Sequence, residues 1–248
     1  MNLQQYILPI LIIVPFVGFL FSLTAHDGAK GMRHNVMPLA SVAVGTNIIL
    51  LGYLFFEFDL ARNGLQFVSK FQWTAMAKIN LVLGIDVFSL MIISAVHIMM
   101  LVSLSFVKNI PHPKMLGSLS LLMLSMLTGY LLAADILTFY IFYTSMLVPL
   151  FLLIGVVGEI KKTSWIFRFF IYNFIGCVIL FIVVCALYYF QKGDGTILLS
   201  GVAKLNLLRP AEYWIWGGIF IALLSRIPIW PFHYWISSVS GAVQTPLV

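Results

Sequence analysis

The stretch SRIPIWPFHYW, from Ser225 to Trp235, places an arginine and a histidine among two prolines near the end of a long apolar run. Pro228 has no amide hydrogen for the carbonyl of Leu224, and Pro231 has none for that of Ile227, so a helix here breaks or kinks across 224–231. Inside a bilayer, carbonyls released by such a break need donors from neighbouring side chains or water. A guanidinium carries five donors and never gives up its charge. Arg226 and the prolines together predict a hydrated, broken helix at membrane depth, a device used for ion sites. The alternative is a helix that stops at 227, with Arg226 snorkelling to the surface.

An ionisable group in a membrane span costs about 2.5–3.5 kcal/mol to insert, so each one is a candidate for function. His97, mid-span in SAVHIMM, is either a buried hydrogen-bonding residue or a proton relay, because histidine titrates near neutrality. Asp86, in LGIDVFSL, stands where it could cap the third span, and Asp135 where it could cap the fifth. Arg168 lies one turn into the sixth span, placed either to snorkel or to be buried. Thr144 and Ser145 can bond to carbonyls upstream, and Pro149 frees the carbonyl of Ser145. The sequence shows no nucleophile triad, paired carboxylates, phosphate loop or metal-ligand spacing, so covalent chemistry and a resident cofactor are not expected. Cys177 and Cys185 lie eight residues apart in one apolar run, about 12 Å along a helix, too far for a disulfide.

The elements that must position these residues are membrane helices. Of 248 residues, 62% are hydrophobic and only 9% charged, and the mean hydropathy is +1.06. Apolar runs at 6–23, 37–56, 83–107, 115–133, 136–158, 165–191 and 212–235 predict seven spans, the last one broken. The first run lacks the basic flank of a cleaved leader and is long enough to span. The net charge is +6, and the short loops at 24–36, 108–114 and 159–164 are dense in Lys and Arg, whereas the bases of 57–82 and 192–211 are spread over long segments that count for less. This is the positive-inside pattern and places the N-terminus outside; no basic stripe with an aromatic platform points to nucleic acid. The segment 65–86 has aromatic and β-branched residues suited to a short hairpin on the membrane surface.

FYTSMLVPLFLLIG (142–155), RFFIYNFIG (168–176) and SRIPIWPFHYWI (225–236), in that order, together with LGIDVFSL (83–90), resemble the antiporter-like proton-channel subunits of respiratory NADH:quinone oxidoreductase, complex I. The MLVP element is most similar to the chain 4, or M-type, subunit. The resemblance implies an all-α membrane protein that is half of a fourteen-helix fold. Residues 1–114 would form three N-terminal spans with a surface loop, and 115–248 the start of the first antiporter-like repeat. It also implies a proton path along a central polar axis. The family's span-five glutamate falls on Thr144, its broken-helix lysine on Arg226 and the lysine of its KFFIY motif on Arg168, while its histidine is kept as His233. A fixed cation and a hydroxyl thus replace a titrating pair. The proton-path candidates are Arg226, His233, Thr144, Arg168 and His97, followed by Asp86 and Asp135.

Two departures qualify the resemblance. The family's motif leading into its eighth span is poorly matched at Ser237, Ser238, Val239 and Ser240, and the second repeat is not in this sequence. A split subunit completed by another chain and an eroded half kept for assembly are the two expectations. The implied partners are other membrane-arm subunits, a chain carrying the second repeat, and membrane lipids. Flavin, iron–sulfur clusters and quinone are expected elsewhere in the complex, with this chain a non-catalytic subunit. The implied location is the mitochondrial inner membrane, or alternatively a bacterial plasma membrane. A related cation/proton antiporter or membrane-bound hydrogenase subunit, and a purely structural scaffold, are the competing readings.

Overall fold

The structure is a computed structural model that describes residues 6–24, 36–62, 64–74, 79–106, 112–157, 163–191, 195–202, 209–227 and 229–230. The described chain is helical, with one hairpin. In order the elements are α1 (Ile7–Thr24), α2 (Val36–Glu57), β1 (Gln66–Thr74), β2 (Ile79–Ile85), α3 (Val87–Phe106), α4 (Pro113–Leu132), α5 (Ile136–Ser145), α6 (Leu147–Val157), α7 (Thr163–Phe190), the single turn α8 (Leu199–Val202) and α9 (Arg209–Leu224). Six spans among the described residues are long and apolar enough to cross a membrane, α5 and α6 together making one of them.

Two of the seven predicted spans are corrected, and the seventh leaves its helix inside the expected break at 224–231. The third does not begin at 83, because 79–85 pairs as strand β2 and the helix starts at Val87. The fifth is not one helix: it is interrupted at Met146, three residues before Pro149, whose ring and missing amide disfavour a continuous ladder. The seventh reaches only Leu224 as helix, and its course beyond Trp230, with His233 and Pro231, lies outside the described residues, as does Pro228. Between spans two and three, where a hairpin is expected, β1 and β2 pair as a two-stranded sheet.

The chain divides into two compact units, Met1–Lys70 with Val82–Ala133, and Phe71–Leu81 with Ala134–Val248. In the first, α1 packs on α2 and α4 through small residues. A side chain on Gly18 would meet Ala43 Cβ at 3.1 Å and Leu121 Cδ1 at 3.3 Å, the close approach that membrane helices use in place of a hydrophobic drive. Ile7, Leu8, Leu11, Leu51, Leu54, Ile85, Leu90 and Leu132 form its largest core cluster. In the second unit α7 packs on α5, α6 and α9, and Ile136, Val183, Val184, Leu187 and Ile215 share a core. Outward residues such as Ile49, Phe56 and Trp214 are apolar and exposed, as lipid-facing or partner-facing helix surfaces are.

Asp86 and Asp135 cap helices. Asp86 Oδ1 accepts from the amide of Ser89 at 2.7 Å, starting α3, and Asp135 Oδ2 accepts from the amide of Thr138 at 2.8 Å, starting α5. Asp135 is fully buried, and its Oδ1 also accepts from the Thr138 hydroxyl. Around this cap the segment 197–199 pairs with 134–136: the Ile136 amide donates to Ile197 O and the Leu199 amide to Ala134 O. The cap thus also fixes where the connection from α7 returns. The start of β2 joins the same corner through Asn80, whose amide donates to Thr196 Oγ1 at 2.7 Å.

Candidate functional site

The site around Arg226 is built by the end of α9. With no amide at Pro228 to bond Leu224 O, the chain tightens: the Arg226 and Ile227 amides each donate three residues back, to Leu223 O and Leu224 O, both at 3.1 Å. That shift leaves the Ala222 carbonyl without its usual backbone donor at 226. Two hydroxyls fill it, Ser225 Oγ and Tyr143 Oη of α5, each donating at 2.7 Å. The break in one helix is therefore satisfied partly by the side chain of another, as low-dielectric surroundings require.

The same tyrosine receives the arginine. The guanidinium carbon lies 3.9 Å from the centroid of the Tyr143 ring, and Nη2 donates to Tyr143 O at 2.5 Å and approaches Cys177 Sγ at 3.8 Å. Arg226 is half-buried, with its guanidinium turned toward α5 and α7. Its Nε and Nη1 are buried and have no hydrogen-bond partner among the described residues. A desolvated cation over a ring face is held by about 2 kcal/mol or more. Gly176 of α7 makes room for the turn: a side chain there would collide with Ser225 Oγ and lie 2.8 Å from Ser225 Cβ.

Thr144, one residue on from Tyr143, turns its hydroxyl onto its own helix, with Oγ1 at 2.9 Å from Tyr140 O and 3.0 Å from Ile141 O. Arg226 thus reaches the residue beside Thr144, and no bond between the two is present. Arg168 is exposed on α7, about 12 Å along the helix axis before Gly176. His233 lies outside the described residues. Among the described residues no cluster of three or more His, Cys, Asp or Glu is placed to hold a metal.

His97 belongs to the first unit and a separate network. It is fully buried on α3, with Nδ1 at 2.8 Å from Ile93 O and Nε2 at 3.1 Å from Asn47 Nδ2 on α2. A carboxamide nitrogen only donates, so Nε2 accepts and the ring proton sits on Nδ1. Asn47 Nδ2 gives its other hydrogen to Leu11 O of α1 at 2.9 Å. That carbonyl is open because Pro15, inside α1, lacks the amide that would bond it. One amide nitrogen therefore ties three helices together, while Asn47 Oδ1 stays buried with no partner among the described residues. Charge does not single out Asn47; its signal in the sequence is a proline inside one span and an asparagine mid-way through the next. Asn47→Leu leaves Leu11 O and His97 Nε2 buried and unpaired. It is expected to cost about 1–3 kcal/mol, seen as a lower midpoint of thermal aggregation in detergent, whereas His97→Leu, which spares the Leu11 contact, costs less.

With this geometry in hand, the likeness to known proteins is specific. Residues 133–247, which include α5, α6, α7, α9 and Arg226, match the family described as NADH:quinone oxidoreductase/Mrp antiporter, TM. Over residues 133–247 the chain is similar to that antiporter family. NADH-quinone oxidoreductase subunit M of Rickettsia typhi is 29% identical over 98% of this chain and 50% of its own length. NADH-ubiquinone oxidoreductase chain 4 of Mycosarcoma maydis is 28% identical over 92% of this chain and 47% of its own. The chain spans about half the length of the curated relatives it matches. A chain of respiratory complex I from Thermus thermophilus has the same fold, with a TM-score of 0.76 and 21% identity over 94% of this chain and 47% of that one. The antiporter-type region holds both Arg226 and its tyrosine seat, whereas the His97 network lies ahead of it in the sequence.

Proposed function

We propose that this chain is membrane-arm material of a proton-translocating NADH:quinone oxidoreductase, the first half of a chain 4, M-type subunit, in which a fixed cation occupies the place of a titrating lysine. The observation that carries this is the inward Arg226, stacked on Tyr143 at the end of the interrupted helix. A group that never loses its proton cannot relay one. Arg226 instead sets a positive potential in the half-channel. Two charges 8 Å apart interact by about 2 kcal/mol at an effective dielectric of 20, enough to disfavour a nearby proton by more than tenfold.

On this reading the working partners are other membrane-arm subunits and lipid. Flavin, iron–sulfur clusters and quinone belong to other subunits, and the membrane is the mitochondrial inner membrane. The spans from 115 onward begin the first antiporter-like repeat, with the three before it an N-terminal module. The second repeat is supplied from outside this sequence. The apparent mass of the chain recovered from membranes distinguishes a separate polypeptide, near 28 kDa for this one, from a continuous chain about twice as long.

Purification through a tag on this chain tests the function. The expected result is a large complex that oxidises NADH and carries flavin and iron–sulfur signals. A multi-subunit assembly without flavin would move the chain to a cation/proton antiporter, and recovery of the chain without either would leave only a scaffold.

A further inference from the structure

We propose that Tyr143 is a positioning residue that makes position 226 specific for arginine. The inference deepens the proposed function and rests on it only for what the cation does in transport; the seat itself stands on geometry. Tyr143 meets Arg226 twice, through its ring face at 3.9 Å and its main-chain carbonyl at 2.5 Å. Its hydroxyl also holds Ala222 O at 2.7 Å, four residues before Arg226, so one side chain fixes both the cation and the turn that carries it. A planar guanidinium can lie flat on a ring while an N–H at its edge reaches a carbonyl. An ammonium is a compact point charge on a flexible stem, without a plane to stack, and does not satisfy both contacts in one placement. The neighbouring Thr144 has its hydroxyl committed to Tyr140 O and Ile141 O. The cation is therefore held by a π face and a carbonyl, neither of which titrates, and an arginine is the residue that fits them.

Cys177 reports on the seat. Its Sγ lies 3.8 Å from Arg226 Nη2 and the residue is buried, while Cys185, on the same helix, is exposed and serves as an internal control. In native membranes containing the full chain, the rate of N-ethylmaleimide modification of each cysteine is measured by peptide mass spectrometry. Tyr143→Leu, which removes the ring face and the hydroxyl, is expected to speed Cys177 modification by about tenfold or more, as loss of a desolvated cation–π contact should. Tyr143→Phe, which keeps the ring and the carbonyl, is expected to stay within about threefold of wild type. Arg226→Ala and Arg226→Lys should both resemble Tyr143→Leu. Once Arg226 is alanine, adding Tyr143→Leu should change the rate by less than about twofold, the signature of two residues acting as one unit. Cys185 should react alike in all variants.

Equal acceleration by Tyr143→Leu in the wild-type and Arg226→Ala backgrounds would mean general loosening and overturn the positioning role. A wild-type rate in Arg226→Lys would overturn the arginine specificity. None of these readings uses NADH oxidation or proton transport, so failure of the seat and failure of the proposed function are told apart.

Discussion

Gly176→Ala is expected to loosen the Arg226 site and to lower the amount of folded chain in the membrane. The methyl group it adds would overlap Ser225 Oγ, sit 2.8 Å from Ser225 Cβ and come within 3.2 Å of the Ala222 carbonyl. The serine hydroxyl could rotate, but only by giving up its bond to Ala222 O, and neither its Cβ nor the carbonyl can move independently of the turn. Overpacking of this kind costs about 1–3 kcal/mol. Two controls make the cause specific. Gly217→Ala, on α9 with nothing within 4 Å of the added atom, is expected to be neutral or mildly stabilising, by up to about 1 kcal/mol from helix propensity. Ser225→Gly removes the atoms nearest to the new methyl and should restore much of what Gly176→Ala loses. Detergent melting midpoints of the four variants check this. If Gly176→Ala melts with wild type, α7 does not pack against the 222–225 turn as described.

The other large effect is expected at Arg226 itself. Arg226→Met is similar in volume and uncharged. Exchange of a buried charge for an apolar group is often neutral for stability, so the amount of assembled complex should stay within about twofold of wild type. Transport should not. If Arg226 sets the potential proposed above, its loss removes that barrier, and the passive proton leak of reconstituted vesicles should rise about tenfold on the Coulomb estimate. Arg226→Lys separates charge from shape. A lysine can give up its proton, so the variant should leak little at low pH, where the ammonium is present. Its leak should grow as the pH rises and the charge is lost, while wild type stays flat because arginine remains protonated. Collapse of coupled translocation in Arg226→Ala with full retention in Arg226→Lys at every pH would mean that position 226 works by titration, contrary to the fixed-charge account.

Much of the frame could be read from residue types alone. Asp86 and Asp135 have the spacing of N-caps and act as caps. Pro149 marks the carbonyl of Ser145 as free, and the span breaks one residue later. The β-branched and aromatic run after span two forms strands. Its second strand also took up residues assigned to the third span, because a buried apolar strand and a helix start have the same composition over a few residues.

The site was less legible. Arg226 stood out because a permanent charge beside helix breakers is rare in an apolar run. Tyr143 did not, since a ring that receives a cation carries no spacing signature and is one of many aromatics in the spans. Thr144, the position that the family resemblance singles out, turned back on its own helix, a choice open to any span threonine and invisible in sequence. Asn47 was missed because it is neutral, although Pro15 had opened the carbonyl it fills.

The most direct measurement is a cryo-electron microscopy map of the assembled membrane complex at a resolution that shows side chains around residue 226. The expected map has the guanidinium stacked on the Tyr143 ring with an edge on its carbonyl, enclosed by α5, α7 and the end of α9. A guanidinium extended to the lipid headgroups, or an unbroken helix through 224–231, would contradict the account.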